Sequence, residues 1–178
     1  MKTFLSTHKR DGVPGVRGVG TLPPHLPREL SEVLTQLRGG SFASGFFEFV
    51  DSNSASRYLS LWQIDSTNCV TFLKCGFGQL LFYQAGEYKL LNPIYNEIDV
   101  VGDEGELEFV LDVFLCDRRT LDASFLMDLY ERAFPRLGPP KEDEIYALVP
   151  ALGLGGSRDA AHVKVAKMQS EMPILAQL

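Results

Sequence analysis

The sequence of 178 residues contains only three cysteines and three histidines. The cysteines form no CxxC motif and no regular framework, so we expect them to be inert, buried thiols in a reducing compartment. No uncharged apolar run reaches the roughly 18 residues of a membrane-spanning helix, and residues 1–20 contain no apolar stretch of a signal peptide. These absences predict a cytoplasmic protein with no membrane partner.

Signatures of catalysis and of metal binding are also missing. No HExxH motif occurs, and no two histidines have the spacing of a helical zinc site. For His8, His25 and His162 we expect solvated or locally bonded side chains. No nucleophile stands in a recognisable pattern with a base. The sequence therefore predicts no enzyme, no catalytic residue, no metal site and no cofactor.

A glycine-rich loop raises the possibility of phosphate binding. Gly153, Gly155 and Gly156 lie between a predicted strand and a predicted helix, which is the order of an anion-binding loop. Their spacing matches neither the dinucleotide fingerprint nor the P-loop, and Asp159 would repel a phosphate. We favour a structural turn, with a small-ligand site at residues 153–159 as the alternative.

Acidic residues outnumber basic ones by 23 to 17, which gives a net charge of −6. A negative protein repels phosphates, so direct nucleic-acid binding is disfavoured, whereas a basic partner protein would be attracted. Glu104, Glu108 and Asp112 recur every four residues in a predicted helix and would share one stripe. The stripe is either a solvated face or a partner-binding strip that accelerates association. For Phe109, opposite Leu107, we favour core packing over exposure.

Hydrophobic periodicity predicts an α+β fold in which helices pack mainly on one face of a curved antiparallel sheet. We expect a single domain, residues 1–178, with an irregular segment at 1–22. Helices are predicted from Pro27 to the Gly39–Gly40 stop, after an Asp51 or Ser52 cap, and over 103–115 with Asp103 as cap. Two more are predicted over 121–134, with Thr120 or Asp122 as cap and with Pro135 and then Gly138–Pro139–Pro140 ending it, and over 160–168. Strands are predicted over residues 41–50, 70–75, 79–83, 88–91, 97–101, 145–149 and 174–178.

The C-terminal half resembles a known family. The strand at 77–83, the two helices that follow, the run 137–156 with its DEIY, VPAL and LGG stretches, and the end 172–178 carry the likeness. They resemble the GAD-like immunity proteins of type VI secretion, which protect bacteria from DNase effectors. Residues 39–46 resemble more loosely the SUKH superfamily of immunity proteins.

The resemblance implies a protein without catalysis that binds a cognate toxin in the cytoplasm and blocks or deforms its active site. It implies fold roles for the motif, which includes Pro150: Phe77, Tyr146, Val149 and Leu152 as core, and Gly78, Gly155 and Gly156 as turns. None of these is implied as a toxin contact, so the partner-binding candidates are Glu104, Glu108, Asp112 and Phe109. An interaction module without a toxin partner is the main alternative function.

Overall fold

The computed structural model describes residues 1–12, 26–37, 39–50 and 55–178. Seven strands form one antiparallel sheet in sequence order: β1 (Arg10–Asp11), β2 (Ser41–Phe42), β3 (Phe47–Phe49), β4 (Cys69–Cys75), β5 (Leu80–Gln84), β6 (Glu87–Asn92) and β7 (Glu97–Asp103). A separate antiparallel hairpin joins β8 (Glu144–Leu148) to β9 (Val163–Lys167). The predicted meander over residues 70–101 is confirmed as β4–β7.

Helices cover mainly one face of this sheet. They are α1 (Lys2–Thr7), α2 (Arg28–Leu37), α3 (Leu107–Asp112), α4 (Arg118–Ser124), α5 (Met127–Leu137) and α6 (Met168–Leu175). The larger core cluster joins α1–α5 to the sheet, whereas a smaller cluster joins α6 and residues 55–64 to the opposite face. The predicted α+β class is confirmed.

Helix α2 shows the predicted periodicity. Leu30, Val33, Leu34 and Leu37 are buried together, because positions three and four apart share one side of a helix. Gly39 follows with a φ of 71°, in the left-handed region that ends helices without a Cβ penalty.

The N-terminal segment is not irregular throughout, and the prediction of a loop or short irregular strand over residues 1–22 is wrong for the helix at 2–7. Residues 2–7 form α1 because Phe4 is completely buried and makes edge-on contacts with Phe42 and Phe49. His8 is also buried, and its Nε2 donates to the Leu115 carbonyl at 2.7 Å. Residues 13–22 of the segment, and His25 beyond it, lie outside the described residues.

The predicted strand 41–50 is a hairpin, in which the turn between β2 and β3 passes through Ala43, Ser44 and Gly45 at φ values of 53°, 60° and 86°. The carboxylate of Asp11 accepts hydrogen bonds from the amides of Ser44 and Gly45 at 2.9 and 2.7 Å, which stabilises this conformation. Propensity alone favours a continuous strand, and this distant cap overrides it. The cap predicted at Asp51 or Ser52 lies outside the described residues.

Two predicted helices begin and end elsewhere. The helix over 103–115 starts only at Leu107, because Asp103 is the last residue of β7 and Gly105 turns the chain at a φ of 95°. The helix over 121–134 is interrupted at Leu126, which has a φ of 58°, and so forms α4 and α5.

The caps of these helices differ as well. Asp117 caps α4 by accepting a hydrogen bond from the Thr120 amide, so neither Thr120 nor Asp122 is the cap. Pro135 lies inside α5, where its ring does not end the helix, but Gly138 terminates the helix as predicted, at a φ of 68°.

The C-terminal predictions are reversed. Residues 160–162 form a 3-10 turn and 163–167 form β9, where the predicted helix should lie. The predicted strand 174–178 overlaps the end of α6, whose Met168, Met172 and Leu175 are buried at helical spacing. In β9 only Val163 is buried, so the strand has no regularly buried face. Its sequence, VKVAK, therefore shows no clear alternation of apolar and polar residues.

Lys74 fastens the large sheet to the loop before β8. Its ammonium group is almost fully buried and contacts the Glu48 carboxylate at 2.7 Å. It also donates to the carbonyls of Glu142 and Glu144 at 2.7 and 3.3 Å. These partners compensate a buried charge whose uncompensated desolvation would cost on the order of several kcal/mol.

Candidate partner-binding surface

A groove opens between α2 and α3. Its floor consists of Val33, Leu107 and Leu111, and the cavity has a volume of about 290 Å³. Glu29, Glu32 and Glu108 line it together with Gln36 and Met1. We refer to this cavity as the acidic groove.

The three carboxylates of the acidic groove differ in their partners. Glu29 is half-buried and accepts hydrogen bonds from the Tyr88 hydroxyl at 2.8 Å and the Gly105 amide at 3.1 Å. Burial and the bond to Glu29 raise the pKa of Tyr88, so this phenol stays protonated. Glu32 is exposed and pairs with Arg28 at 2.7 Å. The Glu108 side chain is 83% exposed, with the N-terminal amine of Met1 at 3.8 Å.

A groove with an apolar floor and carboxylates along its walls is suited to bind a long basic side chain. A lysine or arginine side chain from a partner could lay its methylene stem on Val33 and Leu111 and direct its charge to Glu32 or Glu108. Carboxylates that remain exposed would also attract a basic surface and raise its association rate.

The predicted stripe of Glu104, Glu108 and Asp112 is wrong as a shared surface. Glu104 precedes α3 and accepts a hydrogen bond from the Tyr83 hydroxyl at 2.6 Å. Burial of Tyr83 and this bond raise the pKa of the phenol to about 12. Because the helix starts at Leu107, Glu104 does not lie above Glu108.

Asp112 has a structural contact. Its side chain is 8% exposed and accepts hydrogen bonds from the Met1 amine and, at 2.9 Å, from the Phe4 amide at the start of α1. Burial would raise the pKa of this carboxyl, but the bonds outweigh it and hold the pKa below its usual value. Of the three predicted acids, Glu108 alone keeps an exposed carboxylate on α3.

Phe109 is 48% exposed, so the core packing that we favoured for it is wrong. Helix α1 covers the side of α3 that carries Asp112, and the outer side is left to Phe109 and to Val113, which is 53% exposed. These two apolar side chains lie four residues apart and therefore next to each other. They place apolar surface beside Glu108, as an interface needs.

The motif residues are mostly structural. Phe77 and Tyr146 are fully buried and meet edge to face with ring centres 5.8 Å apart, which confirms them as core. Leu152 is partly buried. Val149 is 43% exposed, so its core assignment is wrong: it follows β8 and starts the turn into Pro150 through a cis peptide bond.

Glycine is needed at the motif positions for two different physical reasons. Gly78 and Gly155 adopt φ values of 88° and 81°, as predicted for turns. Gly156 is required by close approach instead, since a Cβ there would lie 1.9 Å from the Pro150 carbonyl oxygen. Asp159 accepts a hydrogen bond from the Ala161 amide, which is a capping role. Residues 153–159 do not line the acidic groove.

Sequence reasoning missed Glu29 and Glu32. They lie three residues apart on α2, a spacing that is visible in the sequence. What the sequence does not show is that α3 packs beside them, because that contact joins segments more than 70 residues apart.

The described residues contain neither a metal-binding cluster nor a membrane-spanning helix. Across residues 1–12, 26–37, 39–50 and 55–178, no three histidine, cysteine or acidic side chains meet where they could hold a metal ion. In the same part of the chain, no helix has the length and apolar character needed to cross a bilayer. Cys69 and Cys75 are buried and Cys116 is half-buried, all with free thiols, and burial raises the pKa of each.

Comparisons with known proteins give one family and one fold. Residues 109–178 match the family described as type VI secretion system (T6SS) immunity protein Tdi1, C-terminal. The crystal structure of Atu4351 from Agrobacterium tumefaciens resembles the chain with a TM-score of 0.62 and 13% identity, over 99% of this chain and 88% of that one. At this identity the likeness shows the fold alone. No curated protein matches the sequence. The family match supports a T6SS immunity protein, whereas the GAD-like and SUKH likenesses stay predictions.

Proposed function

We propose that this chain is an immunity protein that binds and neutralises a cognate type VI secretion toxin in the cytoplasm. The observation that carries the proposal is the match of residues 109–178 to the Tdi1 immunity family. That segment contains most of α3, including Phe109 and Leu111, and Leu111 lines one wall of the acidic groove.

The acidic groove favours a nuclease among the possible toxins. A protein that cuts DNA needs basic residues to hold phosphates, and those residues attract carboxylates. In the proposed complex, a basic side chain of the DNase enters the groove between Glu32 and Glu108 while Phe109 packs against the adjoining surface. The immunity protein then occupies the site where DNA would lie, and no catalysis by this chain is needed.

Co-expression with the cognate effector tests the proposal. The effector alone should arrest growth and degrade DNA, and the wild-type chain should restore both growth and intact DNA. If the effector remains toxic in the presence of the folded chain, the immunity function is rejected.

The part played by the acidic groove is tested by charge reversal. Glu32→Lys with Glu108→Lys should slow association with the effector at least tenfold at low salt, and the difference should shrink as salt increases. Asp128→Lys on α5, where an exposed pair with Arg132 is lost, is the matched control and should leave the rate unchanged. Equal association rates for both variants would place the interface elsewhere.

A further inference from the structure

Strand β7 forms one end of the seven-stranded sheet. Six of its seven residues pair with β6, and no other strand in the described part of the chain pairs with its outer edge. The strand at the opposite end, β1, is only two residues long. The amide and carbonyl of Asp103 are hydrogen-bonded to Glu106, but no strand in the described part of the chain pairs with the outer edge of residues 97–102. Such an edge can accept another strand.

The side chains of β7 divide into two rows. Ile98 and Val100 are 44% and 56% exposed and point to one face, because they lie two residues apart. Glu97 and Asp99 point to the other face, and neither carboxylate has an ion-pair partner within the described ranges. The strand thus presents an apolar row on one face and an acidic row on the other.

The apolar row continues the smaller core cluster. Ile98 stands opposite Leu91 of that cluster in the sheet register. Trp62, which packs against the same cluster, donates from its indole nitrogen to Asn96, next to the start of β7, at 2.5 Å. A strand added at this edge would therefore extend an existing core with its own apolar side chains.

We infer that the outer edge of β7 is a docking site for an extended segment of a partner protein in which basic and apolar residues alternate. The added strand would pair its backbone with β7, place its apolar residues beside Ile98 and Val100, and place its lysines or arginines beside Glu97 and Asp99. Charge complementarity selects this occupant.

A second copy of this chain fits less well. In an antiparallel pairing of two β7 strands each face meets the same face, so Glu97 and Asp99 would lie beside the same carboxylates of the other copy. Like charges directly opposite each other destabilise a sheet. A basic partner segment removes this repulsion, and the inference holds whether or not that partner is a secreted toxin.

A synthetic peptide of ten residues in which lysine alternates with valine is the probe. Titrated into the full-length, isotope-labelled chain, it should shift the NMR signals of residues 97–103. At saturation it should slow amide exchange at the outward-facing positions of β7 at least tenfold. Methylating alternate peptide nitrogens should abolish binding, because those amides can no longer donate to the edge.

Charge variants locate the contact. Glu97→Lys with Asp99→Lys should weaken peptide binding at least tenfold, whereas Asp128→Lys on α5 should not change it. Three results would overturn the inference: no binding, equal binding of the methylated peptide, or protection of β7 in a concentration-dependent homodimer. Failure of the wild-type chain to neutralise the effector would reject the immunity function and leave the β7 result intact, so the two proposals can fail separately.

Discussion

Replacing Asp112 by alanine removes the carboxylate that ties α3 to the start of α1. This carboxylate accepts the Phe4 amide at 2.9 Å and contacts the Met1 amine, and its side chain is only 8% exposed. In Asp112→Ala the amide at the first turn of α1 loses its acceptor and the amine loses its counter-ion. We expect α1 to be held less firmly on the sheet.

The two lost contacts set the size of the effect. A hydrogen bond to a charged acceptor contributes about 1.5–3 kcal/mol, and loss of a helix N-cap costs about 0.5–2 kcal/mol. The amine is partly exposed and regains water, so we expect a total loss of about 2–3 kcal/mol. For a chain of this length that lowers the melting temperature by roughly 4–12 °C.

Urea denaturation of the wild type, Asp112→Ala and Glu108→Ala measures this loss. Glu108 is the matched control on the same helix, since its exposed carboxylate lies 3.8 Å from the same amine and should contribute less than about 0.5 kcal/mol. The bonds lower the folded-state pKa of Asp112. Its contribution is therefore complete above about pH 4 and disappears as the pH falls through the lowered pKa. Equal stability losses in the two variants would refute the capping role.

Four further substitutions test the packing. Phe4→Ala should cost about 3–5 kcal/mol in denaturant titrations, as expected for a fully buried phenylalanine. Burial lowers the pKa of His8, so the unfolding free energy should decrease as the pH falls below about 6.5, and His8→Gln should flatten that dependence. Gly156→Ala should cost at least about 2 kcal/mol because its Cβ collides with Pro150, whereas Gly155→Ala, at positive φ in open space, should cost about 1 kcal/mol. Thermal melts that rank the two glycine variants the other way would contradict this assignment.

Local patterns predicted the parts of the fold that depend on local chemistry. Helix α2 has four apolar residues on one side and a glycine stop, and the β4–β7 meander has short apolar strands separated by turn residues. In both cases propensity, periodicity and turn residues agree with the final packing.

Distant contacts decide the parts that local patterns missed. Helix α1 exists where Phe4 enters an aromatic cluster and Asp112 caps it from more than 100 residues away. The turn at residues 43–45 depends on Asp11 in the same way. For the candidate site, spacing identified Glu108. Asp112 makes a structural contact instead of lining the site, and Glu29 and Glu32 line the acidic groove. Both facts follow from the packing of helices that are distant in sequence, which no local pattern shows.

The buried ammonium of Lys74 limits how this chain can be recombined with its relatives. The segment that matches the immunity family, 109–178, contains the carbonyls of Glu142 and Glu144 but not the lysine that binds them. A chimera that moves this segment onto another sheet must bring a lysine at the equivalent place in β4 and a glutamate at the place of Glu48. Without the lysine and the glutamate, the transferred segment would lose the hydrogen bonds that join it to the sheet. With the lysine alone, the chimera would contain a buried charge that has no counter-ion.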